Sequence, residues 1–191
     1  IQTALDWSAW NVHNDAATEQ TTPPGTGQDP AQGLAKAVEM CNNNGTCRKF
    51  DAGTMCPSFR VTRDEVHATR GRANTLRLAL SGQLQGGLES PEVKEAMDLC
   101  VGCKGCKREC PTGVDMARMK IEVQHHYNEK HGLQLKDTLI SNLPRYAHIA
   151  SQWPGLMNLR NQSPLLAKLA ESLTGLSAKR SWPEWKKDHF F

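Results

Sequence analysis

The chain has 191 residues, of which 38% are hydrophobic and 6% aromatic, and its formal net charge is +3 at pH 7. This length suits one ordinary domain with extensions rather than two full cores. The small net charge gives no reason to expect a nucleic-acid partner. No stretch approaches the roughly 20 apolar residues of a membrane span, so we expect a soluble, cytoplasmic protein.

Residues 1–33 are predicted to be a linker from an upstream domain. They contain the run TEQTTPPGTGQDP, which offers almost no side chains for a core. The chain starts at Ile1, without an initiator Met or an apolar signal segment. We therefore expect this chain to be part of a longer protein.

The remainder shows helical patterns and no convincing strand, so the predicted fold is all-α, with cysteine loops between the helices. Asp29 before Pro30 predicts the start of a helix that ends at Cys41. The sequence TRDE, which begins at Thr62, has the form of a capping box and predicts a helix that reaches about Leu84.

Later helices have equally local start and stop signals. Serine before proline predicts helix starts at Ser90 and Ser163. Glycine predicts the ends of two helices, at Gly132 and Gly175. The predicted organisation is a helical domain at 34–135, which contains all seven cysteines, and a helical extension at 136–191.

Four cysteines lie close together in the sequence DLCVGCKGCKRECP. Cys100, Cys103 and Cys106 recur every third residue, and Cys110 follows directly before Pro111. This spacing is the C-x2-C-x2-C-x3-C-P ligand run of bacterial ferredoxins, in which thiolates from one tight loop meet the iron corners of a cluster. The run predicts a 4Fe-4S site.

Three further cysteines lie upstream in the sequence CNNNGTCRKFDAGTMCP. Cys41 and Cys47 take the first and third places of the same pattern, and Asn44 stands where the middle cysteine would be. In two-cluster ferredoxins the cysteine before proline ligates the other cluster. Cys56 precedes Pro57, so we expect it to join the downstream run.

This crossing rule predicts two ligand sets. The first cluster would be held by Cys56, Cys100, Cys103 and Cys106. The second set has only three thiols, and these could hold a 3Fe-4S cluster, a 4Fe-4S cluster with a foreign fourth ligand, or no stable cluster. Its members are Cys41, Cys47 and Cys110.

Other interpretations of the cysteines remain open. In one, the cysteines form a structural zinc module whose basic tail docks a partner or nucleic acid, although three cysteines at i, i+3 spacing suit a tetrahedral ion poorly. In another, they are free buried thiols that act as small hydrophobic side chains. The adjacent residues His125 and His126 point to different faces of a helix and are better explained as solvated.

The chain resembles the helical ferredoxin segment of large fused FAD-linked oxidases, of the D-lactate and D-2-hydroxyglutarate dehydrogenase type. Three stretches carry the resemblance: MCNNNGTCRK, MCPSFRVTRDEVHATRGRANTLRLAL and LCVGCKGCKRECPTGVDMARMKIE. Related segments of glycolate oxidase and anaerobic glycerol-3-phosphate dehydrogenase iron–sulfur subunits have two complete cysteine runs, whereas this chain has Asn44.

This resemblance implies that 34–135 form a helical ferredoxin-like iron–sulfur domain, which relays electrons from a reduced FAD to an acceptor. It implies that 136–191 extend toward a downstream domain. It also implies a preceding FAD-binding domain of the vanillyl-alcohol-oxidase kind and, in many cases, a following cysteine-rich domain. Because this sequence has no dinucleotide-binding glycine motif after a strand, we expect the FAD on another domain. A free-standing ferredoxin-like subunit is the alternative. Within the resemblance, the arginines of the RGR sequence at 70–72 either compensate cluster charge or lie on a solvated helix face.

Overall fold

The computed structural model describes residues 1–13 and 16–188 of the chain. In this part the fold is all-α, as predicted, and it contains no β-strand. The chain divides into two compact units, Ile1–His131 and Gly132–Phe191. None of the described helices combines the length and apolar character that crossing a bilayer requires.

The first unit contains seven α-helices and four short 3-10 turns among its described residues. The helices are α1 (Ala16–Glu19), α2 (Gln32–Glu39), α3 (Pro57–Thr62), α4 (Thr69–Leu80), α5 (Pro91–Asp98), α6 (Gly105–Glu109) and α7 (Met116–His131). The turns are Ser8–Trp10, Thr46–Arg48, Glu65–His67 and Gly87–Glu89.

Helix α4 is the central element of this unit, since it packs against α2, α5 and α7. The core that these helices share is built from aliphatic and methionine side chains, and buried thiols belong to the same core. Its members include Leu34, Val38, Leu76, Val93, Met97, Met116 and Met119, together with Cys41, Cys47, Cys56 and Cys106.

Helix boundaries follow the local signals where a serine precedes a proline. The Ser90 side chain accepts a hydrogen bond from the Val93 N–H at 3.3 Å and starts α5, as predicted. Glycine with positive φ follows the last residue of α7, where Gly132 has φ 77°.

The predicted capping box at Thr62 is wrong. Thr62 is the last residue of α3, where its hydroxyl donates to the Ser58 carbonyl at 3.1 Å. Asp64 instead caps a short turn by accepting from the Val66 N–H at 3.1 Å. The following helix therefore begins at Thr69 and ends at Leu80 rather than near Leu84.

Helix α2 also starts later than predicted from Asp29 and Pro30. The Asp29 carboxylate accepts hydrogen bonds from the N–H groups of Gly25 and Ala31, each at 2.9 Å. These bonds close the preceding loop, and α2 begins at Gln32. Asp29 therefore stabilises the approach to the helix instead of capping it.

Residues 1–33, expected to be a linker, belong to the same compact unit as the cysteine region. Trp7 is only 4% exposed, and its indole N–H donates to the Glu122 carboxylate at 3.0 Å. The same carboxylate accepts from the N–H groups of Ala4 at 2.7 Å and Leu5 at 2.9 Å. The start of the chain is thus bound along α7.

The second unit consists of short helices and a terminal segment that lies along two of them. Its helices are α8 (Leu135–Ser141), α9 (Leu143–Ser151), α10 (Pro154–Met157), α11 (Leu159–Gln162) and α12 (Pro164–Thr174). As predicted, Ser163 caps α12, and Gly175, with φ 72°, ends it.

The aromatic tail of the second unit is held by paired amide bonds. Asn158 donates to the Trp185 carbonyl and accepts from its N–H, both at 2.9 Å. Asn161 makes the same pair of bonds with Trp182, at 2.8 and 2.9 Å. The Arg160 guanidinium lies over the Trp182 ring, and the Trp185 ring lies beside Tyr146, so both tryptophans pack within their own unit. The last two phenylalanines lie outside the described residues.

Candidate metal centre

One cleft of the first unit is lined by four cysteines from the two separate motifs. They are Cys56, Cys100, Cys103 and Cys106. The cleft is narrow and opens to solvent. Cys56 and Cys106 are buried, whereas Cys103 is exposed at the surface. The structure therefore brings together the four residues that the crossing rule assigned to one cluster.

Cys56 enters the cleft from the start of α3 in an unusual backbone conformation. It has φ 51° and ψ 65°, in the left-handed region that side-chain-bearing residues seldom adopt. The Thr69 N–H donates to its sulfur at 3.1 Å, and the Thr69 hydroxyl lies 2.9 Å from the same atom. Strained backbone of this kind is typical of functional sites. Hydrogen bonds to the sulfur stabilise a thiolate.

The other three cysteines come from the loop before α6 and from its first turn. Gly102 and Lys104 have φ values of 64° and 58°, which curl the loop around the cleft. The Lys120 ammonium donates to the Cys100 carbonyl and holds the start of the loop. The loop therefore has its own support from α7.

The two cysteine motifs also touch each other beside the cleft. A Cβ atom at Gly105 would lie 3.2 Å from the Met55 Cα, so the missing side chain allows close approach. The Glu109 carboxylate accepts from the Thr54 N–H at 2.8 Å and from the Met55 N–H at 2.9 Å. The loop that leads to Cys56 is thereby fastened to α6.

A buried positive charge lines the same cleft. Arg72 is 2% exposed, and its guanidinium donates to the Ala96 carbonyl at 2.7 Å and the Ser58 hydroxyl at 2.9 Å. Both acceptors are neutral. By contrast, Arg70 bonds the Glu65 carboxylate at 2.7 Å. The sequence RGR thus places one arginine at the cleft and pairs the other with a carboxylate.

The second predicted ligand set is arranged differently. Cys41 and Cys47 are buried, and the Arg70 N–H donates to the Cys47 sulfur at 3.4 Å. Interaction with the Cys56 thiol lowers the pKa of Cys47 to about 7, and the Cys47 thiol, with burial, raises the pKa of Cys56. The hydrogen-bond partner of Cys110 is the Thr112 hydroxyl at 3.2 Å, not Cys41 or Cys47.

Asn44 does not turn toward these cysteines. It is exposed, and its side-chain oxygen accepts from the Thr46 N–H at 2.8 Å. The amide therefore shapes the local turn that leads to Cys47. This geometry gives Asn44 a structural role in the place of the missing cysteine.

Glu109, Thr69 and Lys120 are site residues that the sequence analysis did not identify. Thr69 lies far from the cysteines in the chain and has no motif of its own. Glu109, however, lies in the C-x3-C spacer directly after Lys107 and Arg108. A carboxylate at this position is visible in the sequence and could have indicated a structural role.

The geometry can be compared with the needs of a single ion. Within residues 1–13 and 16–188, no three Cys, His, Asp or Glu side chains converge on one metal position. A zinc ion requires such convergence, whereas a four-iron cluster holds its thiolates at the corners of a cube. The four-cysteine cleft supplies the four thiols that such a cluster requires.

Comparison with known proteins indicates the kind of domain to which the cysteine region is similar. Residues 37–114 match the family model described as the 4Fe-4S dicluster domain. D-2-hydroxyglutarate dehydrogenase of Escherichia coli strain K12 is 29% identical over an alignment 172 residues long. The match covers 71% of this chain and 17% of that protein. The corresponding protein of Pseudomonas putida is also 29% identical, with the same coverage.

A second kind of relative matches a shorter part of the chain. The probable glycolate oxidase iron-sulfur subunit of Bacillus subtilis is 30% identical over 81 residues, covering 41% of this chain and 18% of that protein. The search of solved structures found no match. Residues 37–114 are therefore similar to the 4Fe-4S dicluster domain, and the chain is related to D-2-hydroxyglutarate dehydrogenase and to glycolate oxidase iron–sulfur subunits.

Proposed function

We propose that this domain holds a 4Fe-4S cluster on Cys56, Cys100, Cys103 and Cys106 and relays electrons from a reduced flavin to an acceptor. The observation that carries the proposal is the cleft that these four thiols line. When bound there, the cluster would supply acceptance and release of one electron at a time. This chain's residues bind and orient it.

The donor set and its surroundings fit such a group. Four thiols provide the ligand number of a cubane, and Thr69 donates to the Cys56 sulfur at 3.1 Å. Arg72 adds a buried positive charge beside ligands that are anionic when they bind. Cys103, the exposed ligand, would lie nearest to an electron partner.

We further propose that the flavin is reduced by a D-2-hydroxy acid on an FAD-binding domain of the same polypeptide. This chain matches only 17% of the length of the relatives named D-2-hydroxyglutarate dehydrogenase, so those proteins contain much that it lacks. A downstream cysteine-rich domain would be a further partner. Reactive thiols and a cluster of this type suit a reducing, cytoplasmic compartment.

The number of clusters follows from the second cysteine set. If Cys41, Cys47 and Cys110 hold a cluster, the hydrogen bonds of Cys47 to the Arg70 N–H and of Cys110 to the Thr112 hydroxyl can persist, as that of Cys56 to Thr69 does. Anaerobic protein with one cluster would contain about four irons per chain, and protein with two would contain about seven or eight. Iron and sulfide analysis measures this directly.

The relay proposal is tested in the full-length protein with the Cys103→Ser variant. The variant should still reduce its flavin when a D-2-hydroxy acid is added, because the substrate chemistry lies on another domain. Electron transfer to a terminal acceptor should slow greatly. Stopped-flow absorbance of the flavin and steady-state acceptor reduction separate the two steps. Unchanged acceptor turnover in cluster-free protein would mean that the cluster is structural.

A further inference from the structure

We infer that Arg72 is a fixed counter-charge for the group in the cysteine cleft and sets its reduction potential. The inference rests on the proposed function, since it requires a redox group held by Cys56 and the downstream cysteines. Arg72 is a positioning and tuning residue in this role. It accepts no electron itself.

The argument begins with the burial of the guanidinium. Arg72 is 2% exposed, yet both of its hydrogen-bond acceptors, the Ala96 carbonyl and the Ser58 hydroxyl, are neutral. Among the described residues, no carboxylate lies within salt-bridge distance of it. A buried charge without an opposite charge is strongly unfavourable. The protein alone does not supply the anion that this site requires.

The cleft supplies the missing negative charge. Arg72 lines it together with Cys56, Cys100, Cys103 and Cys106. Four thiolates around a 4Fe-4S core give a net anionic group in either oxidation state. The cysteine ligands and the guanidinium therefore complement each other in a region of low dielectric, where opposite charges interact strongly.

This charge acts unequally on the two oxidation states. Reduction adds one electron and hence one negative charge to the bound group. A fixed positive charge stabilises the reduced form more than the oxidised form, which makes the reduction potential less negative. No proton transfer is required, since arginine remains charged at any pH at which the protein is folded.

Arg70 provides a matched comparison on the same helix. It lies two positions away, but its guanidinium bonds Glu65 at 2.7 Å, and it is not among the residues that line the cleft. Its charge is already balanced within the protein. Arg70→Gln should therefore leave the potential of the group in the cleft almost unchanged.

The test is a redox titration of anaerobically purified full-length protein, followed by electron paramagnetic resonance, after iron analysis of the wild type. Arg72→Gln removes the charge but keeps a donor, and Arg72→Lys keeps the charge but cannot reach both acceptors. We expect a clearly more negative potential in Arg72→Gln, with Arg72→Lys and Arg70→Gln close to the wild type. Equal shifts in the two Arg72 variants, or no shift in Arg72→Gln, would overturn the inference.

A second pair of variants covers the case in which Arg72→Gln fails to fold or loses its cluster. Ser58→Asp places a carboxylate against the Arg72 guanidinium. Ser58→Asn introduces a side chain of the same size that is neutral. Ser58→Asp should lower the potential or the iron content, and Ser58→Asn should not. If Ser58→Asn has the same effect, the inference is wrong. Wild-type protein without iron would instead refute the proposed function.

Discussion

Glu109 accepts hydrogen bonds from both the backbone N–H and the hydroxyl of Thr54, at 2.8 and 2.6 Å. The Met55 N–H donates to the same carboxylate at 2.9 Å. These bonds join the last turn of α6 to the residues directly before Cys56. The two cysteine motifs are therefore connected through protein atoms as well as through a shared cluster.

Replacing Glu109 with Gln should weaken this connection. One oxygen becomes an NH2 group, which cannot accept from the Thr54 and Met55 N–H groups. We expect faster loss of iron to a chelator, because the loop carrying Cys56 moves more freely. Glu95→Gln, an exposed change on α5, is the matched control. Equal rates of iron loss in both variants would show that the Glu109 contacts do not hold the ligand in place.

Cys56 and Cys110 test the crossing assignment directly. Cys56 lines the cleft with the downstream run, whereas Cys110 does not line it. Cys56→Ser should therefore abolish or strongly reduce the 4Fe-4S absorption near 400 nm, while Cys110→Ser retains one cluster. Visible absorption with iron analysis of anaerobic protein measures the difference. Greater loss in Cys110→Ser would assign the ligands in sequence order instead.

Glu122 should make the stability of the first unit depend on acid pH. Burial opposes its ionisation, but hydrogen bonds from Trp7, Ala4 and Leu5 outweigh this effect, so its pKa lies below the ordinary value. A lowered folded-state pKa gives stability that is fully present above the unfolded-state pKa of about 4.3 and is lost as the pH falls through the folded value. Glu122→Gln should cost about 1–3 kcal/mol near neutrality.

The measurement is denaturant unfolding at several pH values between 7 and 3.5. The stability difference between wild type and Glu122→Gln should shrink as the pH falls below about 4.3, because protons then bind the carboxylate of the unfolded chain before that of the folded one. His126 also faces the Glu122 carboxylate, at 3.1 Å, and His126→Gln separates its contribution. Glu129→Gln, on the exposed side of α7, serves as the control. A difference independent of pH would contradict the buried-carboxylate explanation.

Removal of iron should loosen the cysteine elements and leave the main core folded. Helices α3 and α6 have six and five residues, too few to persist without neighbouring contacts. Helix α7 has 16 residues and buries Met116 and Met119 in the core. Hydrogen exchange after anaerobic chelation should therefore increase at 54–62 and 100–110 but remain slow in the first half of α7. Unchanged exchange in both regions would show that the core alone suffices.

The tail of the second unit should detach when its asparagine bonds are removed. Asn158 and Asn161 each make two hydrogen bonds to the backbone of a tail tryptophan. Lys179 and Arg180 are already exposed, and in the double Ala variant the freed backbone beside them should be cleaved by trypsin several times faster than in wild type. Asn142→Ala, which changes bonds at the end of α8, is the control. Similar cleavage rates would mean that the tail is held by other contacts.

Local chemistry was enough to predict several features of this chain. Ser90 before Pro91 specifies a helix start through neighbouring atoms alone, and α5 begins at Pro91 in the structure. The regular spacing of Cys100, Cys103 and Cys106 likewise predicted one shared site, since such spacing brings thiols together within a single loop. Neither inference depends on distant parts of the chain.

Contacts between distant residues could not be predicted in the same way. Trp7 and Glu122 are 115 positions apart, and the polar sequence between Trp10 and Leu34 concealed their contact. The capping box failed for a different reason. The Thr62 hydroxyl has a competing acceptor, the Ser58 carbonyl, which α3 places one helical turn before it.

Gly71 fixes which residue of α4 lies against the turn at Glu65 and which one faces the cleft. A Cβ atom there would lie 2.0 Å from the Glu65 carbonyl oxygen, so α4 runs directly against this turn. One residue inserted in the first turn of α4 would rotate all later side chains by about 100°. Arg72 would leave the cleft, and a side chain would replace Gly71 at the turn. Insertions and deletions should therefore be far less tolerated here than in the loop after Leu80.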